Sequence, residues 1–243
     1  MSRPLPLSTP GQRDSPPRVP LLMPLTREDL ENDALRKQYE NLRDQVPLVP
    51  TAQFDASLES ALSGWDDAQD LWVFAYGSLI WNPLIHFVEQ RRALLRGFHR
   101  RFCLQSRGAR GTPERPGLVL GLDFGGCCNG VAFRIAAAEA RHEMKLIWRR
   151  EMILGSYAPR WVSLESNGTA LRALAFVVNH AHPHYTGKLP VDELARIMAS
   201  AGGTLGSCAD YLRQTVDCLA THEIDDPHLR DLQQRVGLAI NAA

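Results

Sequence analysis

The order of the apolar runs is what most limits the folds open to this chain. Strand-like segments come in succession: LWVFAYGSL (71–79), then ALLRGFHRRFCL, GLVLGLDF and NGVAFRI. Only then comes the strongest helical pattern, Ala137 to Leu154, with one more strand-like run, ALAFVV, beyond it. A doubly wound sheet needs strands and helices in regular alternation, so the irregular order predicts an α+β fold. TREDLENDALRKQYENLRDQV and FDASLESAL predict helices ahead of the first strand, the former with acidic residues early and basic ones late. PVDELARIMASA, ADYLRQTVDCLATHEI and PHLRDLQQRVGLAI predict three more at the far end. No internal repeat and no dinucleotide glycine motif interrupts the pattern.

Length and charge narrow the class. A chain of 243 residues can bury one sizeable core or two small ones. Lys+Arg and Asp+Glu are both 27, which lacks the basic excess of a nucleic-acid binder. No window approaches the roughly 20 apolar residues of a membrane span, and no membrane partner is expected. Residues 1–24 carry seven prolines, at 4, 6, 10, 16, 17, 20 and 24, and predict a disordered tail without the apolar core of an export signal. The five cysteines, Cys103, Cys127, Cys128, Cys208 and Cys218, show no CxxC spacing. A cytoplasmic protein with free thiols is the expectation.

The helix 137–154 holds the most informative anomaly. Ala140, Met144, Ile147 and Leu154 mark one apolar stripe, and Glu151 falls on it, four residues after Ile147 and three before Leu154. Trp148 and Met152 flank it, and Arg149 and Arg150 are expected to point to more exposed directions. A carboxylate on such a face loses hydration and its pKa rises, the environment of a general acid or base. A Glu at the stripe's edge paired with an arginine fits the same pattern, and on periodicity alone that structural reading is favoured.

The remaining candidates are weaker. Tyr76-Gly77-Ser78-Leu79 ends an apolar strand, and consecutive amides in such a turn can form an anion-binding nest, although strand-turn glycines are common punctuation. Tyr157 and Tyr185 sit beside turn residues. His180, His182 and His184 alternate like ligands on one strand face, but Pro183 interrupts them and a loop fits better. Arg91, Arg92, Arg96, Arg100 and Arg101 predict a solvated strand face, with binding of a substrate carboxylate as the minority reading.

Taken together, VFAYGSLIWNP (73–83), RGFHRRFCL (96–104), GTPERPGLVLGL (111–122), GVAFRI (130–135), WRREMILGSYAPRW (148–161) and HPHYTGKL (182–189) resemble the ChaC family of glutathione-specific γ-glutamylcyclotransferases, from about Leu25 to Val236. The resemblance implies a small mixed β-barrel surrounded by helices. It also implies a helical N-terminal extension over 25–70 and a cyclotransferase domain over 71–238, with the proline-rich tail over 1–24 outside it. The family's essential glutamate matches Glu151, and its substrate loop matches Val73, Phe74, Ala75, Tyr76, Gly77, Ser78 and Leu79. Tyr157 and Tyr185 match tyrosines that help to bind the γ-glutamyl group.

The chemistry so implied is ring closure of a γ-glutamyl amide by its own α-amine, releasing 5-oxoproline and, from glutathione, cysteinylglycine. The nucleophile belongs to the substrate, so no metal, cofactor or protein nucleophile is expected. The partner is the small molecule alone, and the chain is expected to work as a monomer. Arg107 and Arg110 in SRGARG are candidates for the cysteinylglycine end. Two other readings compete: an acyl-transferring hydrolase using Cys103 or Cys127, and a regulator of cation transport acting through a partner protein.

Overall fold

The computed structural model describes residues 25–40, 42 and 46–242, so the expected tail over 1–24 lies outside the described residues. In chain order the elements are α1 (Arg27–Glu31), α2 (Ala34–Glu40), α3 (Thr51–Leu62), β1 (Leu71–Ala75), α4 (Ser78–Trp81), β2 (Glu89–Ser106), β3 (Gly117–Ile135) and α5 (Ala137–Glu151). There follow β4 (Tyr157–Ser166), β5 (Thr169–Val178), α6 (Val191–Ser200), a two-residue pair β6 (Gly202–Gly203) and β7 (Gly206–Ser207), α7 (Cys208–Thr221) and α8 (Pro227–Asn241).

Five strands close into a barrel in the order β1-β3-β2-β4-β5. Parallel contacts of β5 with β1 at Val73–Leu174 and with β3 at Leu122–Val177 complete the ring. The long antiparallel pair β2–β3 supplies most of the wall. A strand of that length must bend to stay on a small barrel, and β2 does so at a register shift around Gly97, whose φ of +83° suits glycine. GLVLGLDF and NGVAFRI, which predict two strands, are one continuous β3: Gly125 and Gly126, both at positive φ, carry the chain through the exposed stretch between them. Gly130 has a packing reason, since a Cβ there would lie 2.4 Å from the Ala75 carbonyl oxygen.

Three expectations are corrected. The strand β4 has no counterpart among the sequence-predicted strands: Pro159 and its alternating exposed residues hide an edge that is buried only at Val162, Leu164 and Ser166. The first helical segment is two helices, because Asp33 takes a left-handed φ of +54° between α1 and α2. And α5 ends at Glu151 rather than Leu154, with Met152 as its cap and Gly155 at φ +71° turning the chain into β4.

The stripe on α5 is buried as its spacing requires. Ala140, Met144 and Ile147 are at most 1% exposed, and Trp148 packs edge-on against Phe176 of β5 at 5.4 Å. Burying each such large apolar side chain contributes about 1.5–3 kcal/mol. The other side of α5 is held by the N-terminal arm. Arg27 grips the buried Glu143 carboxylate with two hydrogen bonds of 2.8 and 2.7 Å. The Trp148 indole N–H donates to Ser57 Oγ at 2.8 Å, and the Val49 amide donates to the Ile153 carbonyl at 2.9 Å. The arm and barrel share one apolar core.

Candidate active site

A cavity of about 450 Å³ opens where the barrel, the end of α5, α7 and the N-terminal arm meet. A small inner cleft of about 20 Å³ leads off it, walled by Tyr76, Gly77, Ser78, Leu79, Leu120 and Phe176. Glu151, Ser78, Tyr157 and Tyr211 line both, so Glu151 stands at the junction. Its position follows from α5: being the last helical residue on the buried stripe, it leaves the core where the barrel wall opens.

Glu151 combines the two readings that the sequence left open. Only 12% of its side chain is exposed, and it pairs with Arg150, Nε to Oε1 at 3.0 Å. Burial pushes its carboxyl above the ordinary range, and the Arg150 charge opposes that without cancelling it. Arg150 is not solvated as expected; it lies 9% exposed beside Glu151 and donates to the Asn82 carbonyl. The reason is local: the cavity, rather than solvent, faces that side of the helix.

The turn after β1 forms the opposite wall. Val73, Phe74 and Ala75 are core residues, at most 1% exposed, that carry the turn without lining the cavity. Tyr76, Gly77, Ser78 and Leu79 do line the cleft. A Cβ on Gly77 would lie 3.3 Å from both Leu120 Cδ1 and the Tyr211 hydroxyl, a tight contact that explains a glycine there. Tyr76 Oη donates to the Phe176 carbonyl at 2.8 Å, and Tyr157 Oη to the Leu120 carbonyl at 2.7 Å. Burial raises both phenols further above their usual value, so both stay neutral.

Tyr185 is not brought to the cavity. Its hydroxyl donates to Asp123 at 3.0 Å and its ring stacks on His180 at 4.4 Å, outside the lining. Arg107 is turned onto Gln105 Oε1 at 3.3 and 3.0 Å, whereas Arg110 does line the cavity. Arg110 is 8% exposed and sits over the rings of Tyr211 and Trp81, and among the described residues no carboxylate pairs with it. Burial lowers its pKa, and the nearby Tyr211, Cys208 and Asp210 oppose that without cancelling it. Sequence reasoning missed Tyr211 altogether. It lies on the buried stripe of α7, where a tyrosine signals nothing beyond core packing.

The histidines do not gather as ligands. His180 Nε2 meets Asp123 at 2.6 Å, while the His184 amide donates to His182 Nδ1 at 3.2 Å. Among the described residues the one convergent set of possible metal ligands is His86, Glu139 and Glu143, away from the cavity, with both Glu143 oxygens already on Arg27. The thiols offer no nucleophile in the cavity. Burial pushes Cys103 up to about 12 and Cys208 up to about 11, and the exposed Cys127 lies outside the lining.

His184 gives the fold a pH dependence. It is 5% exposed with an unpartnered Nδ1, and burial, helped by the nearby His182 and Arg107, lowers it to about 4 from 6.5. Between those values the unfolded chain binds a proton that the native state refuses, so stability falls as pH falls through the window, by up to about 1.4 kcal/mol per unit. Urea midpoints at pH 7.5 and 5 should show a larger acid loss for the wild type than for His184→Gln. Equal losses would remove His184 from the account.

Comparison with known proteins then places the molecule. A crystal structure from yeast titled as a γ-glutamyl cyclotransferase specific to glutathione superposes with a TM-score of 0.67, covering 72% of this chain and 98% of that one at 22% identity. The barrel is therefore that of the γ-glutamylcyclotransferase structures. The family described as ChaC-like protein matches residues 71–239, and this chain belongs to it. The glutathione-specific gamma-glutamylcyclotransferase of Escherichia coli (strain K12) is 35% identical over 86% of this chain and 90% of the relative. A human relative, glutathione-specific gamma-glutamylcyclotransferase 1, is 32% identical over 70% of this chain and 80% of its own length. Among the described residues no helix is long and apolar enough to cross a membrane.

Proposed function

We propose that this protein is a γ-glutamylcyclotransferase that degrades glutathione to 5-oxoproline and cysteinylglycine. The observation that carries the reading is the place of Glu151, a desolvated carboxylate at the mouth of a cleft too small for anything but the end of a ligand, opening into a cavity large enough for a tripeptide.

The reaction proceeds in the substrate. Glu151 takes a proton from the α-ammonium, and the freed amine attacks the γ-carbonyl carbon to close a five-membered ring. The ring nitrogen sheds its extra proton, and the leaving nitrogen takes one from Glu151 as the tetrahedral oxyanion collapses. The γ-amide C–N bond breaks to give the lactam N–H and the free amine of cysteinylglycine, which binds the second proton. No water is consumed. Folding the glutamyl chain into the ring-closing shape is a proximity effect worth several kcal/mol. The cleft of Tyr76, Gly77, Ser78 and Leu79 holds the γ-glutamyl end, and Tyr157 and Tyr211 pack beside it. Arg110 meets the glycine carboxylate at the wide end of the cavity.

Incubation with glutathione and mass-spectrometric detection of 5-oxoproline tests the reading directly. Equimolar 5-oxoproline and cysteinylglycine are expected; glutamate in place of 5-oxoproline would mark a hydrolase and overturn it.

A further inference from the structure

Arg100 is a buried cation that the mechanism above does not use. The arginine-rich strand predicts solvated side chains, yet the side chain of Arg100 is only 4% exposed. Its Nη1 donates to the Tyr76 carbonyl at 2.8 Å, and its Nε faces Asp226 Oδ2 at 3.2 Å. Asp226 is itself fixed, because its Oδ1 accepts the Leu229 amide at 3.1 Å as the cap of α8. A buried guanidinium is costly unless its donors are matched, so this one is built into place.

What it holds is one peptide plane. In a planar trans peptide the C=O and N–H point in opposite directions. Anchoring the Tyr76 oxygen on Arg100 therefore turns the Gly77 N–H the other way. Gly77 lines the inner cleft with Glu151, and its N–H makes no hydrogen bond among the described residues. Glycine, lacking a Cβ, is the residue whose flanking peptides rotate most easily, so this plane is the one most in need of a clamp.

We infer that Arg100, braced by Asp226, is a positioning residue that locks the Tyr76–Gly77 peptide with its N–H facing the substrate cleft. The inference rests on the proposed activity for its consequence, a preorganised donor for the γ-glutamyl group, but not for the clamp itself.

Two measurements separate the two. Tyr76–Gly77 is the only Tyr-Gly pair in the chain, so labelling tyrosine carbonyls with ¹³C and glycine amides with ¹⁵N selects this single peptide by NMR. The free wild-type protein should give one sharp correlation. Arg100→Gln should broaden, double or displace it as the peptide rotates, and Asp226→Asn, which keeps the helix cap, should do so more weakly. An unchanged correlation in both variants overturns the clamp whether or not the protein acts on glutathione. In the 5-oxoproline assay, Arg100→Gln should lower kcat/KM roughly a hundredfold. Arg100→Lys, retaining the charge and N–H donors but not the guanidinium fork, should recover part of that loss. Arg96→Gln, on the same strand in an exposed pair with Glu165, should stay near wild type. A value for Arg100→Gln within threefold of wild type overturns the inference, as does an equal loss in Arg96→Gln. If Arg100→Gln fails to fold, Asp226→Asn and Arg100→Lys carry both measurements. A wild type that makes no 5-oxoproline refutes the proposed activity and leaves the NMR result to decide the clamp.

Discussion

Glu151→Gln folds like the parent and loses kcat by roughly a thousandfold, within the range that a general acid–base residue supplies. The amide keeps the shape and still offers an oxygen to Arg150, so the buried guanidinium is not orphaned and the melting temperature stays within a few degrees. Glutathione binding survives in part, since the cleft and Arg110 are untouched. The wild-type profile carries the second half of the test. Burial raises the Glu151 pKa and Arg150 opposes the rise without reversing it, so kcat/KM should increase with pH through a midpoint above the ordinary glutamate value. Linkage has the matching sign: the native state keeps a proton that the unfolded chain has lost, so the carboxyl's contribution to stability declines as pH rises through that interval. Turnover within threefold of wild type in Glu151→Gln would end the assignment, and a flat rate from pH 5 to 8 would remove desolvation as its cause.

Arg110→Gln gives the second large effect, and it is selective. A charge-assisted hydrogen bond to a carboxylate is worth about 1.5–3 kcal/mol, so kcat/KM for glutathione should fall roughly 10- to 150-fold. γ-Glutamylcysteine lacks the glycine and its distal carboxylate, so it cannot use that part of the contact. It should be a poor substrate for the wild type and change little in the variant. The ring-closing atoms are the same in both molecules, so the difference isolates the wide end of the cavity. Equal losses on both substrates would move Arg110 to the γ-glutamyl end, and no loss on either would leave it a structural cation beneath Trp81 and Tyr211.

The sequence carried this site unevenly, for physical reasons. Period 3.6 put Glu151 among buried residues because a helix repeats its face regardless of what lies opposite. The same rule misjudged Arg150, since exposure was assumed wherever the stripe ended, and the cavity occupies that direction. Tyr211 and Arg110 reach Glu151 only through tertiary closure, and neither stands near it in the chain. Arg100 hid among four other arginines because a strand's alternation says which face a side chain takes, not whether a helix covers that face. The strand β4 escaped notice because Pro159 and its polar outer face weaken the apolar signal, yet it pairs with β5 over its whole length. Tyr185 stands out by its motif, and the structure places its hydroxyl on Asp123, outside the cavity lining.

The grip of Arg27 on Glu143 bears on where this protein can be divided. The family match begins at residue 71, which invites a cut just before the first strand. Such a cut would strand a carboxylate that is 1% exposed, take the acceptor from the Trp148 indole, and remove Leu25, Leu35 and Tyr39 from the cavity wall. A barrel inherited without its arm would have to invent a new counter-charge for α5 and a new rim for its own cavity. Recombination that exchanges barrels between relatives should therefore succeed at the far side of Leu25, and fail at residue 71, where the family match begins.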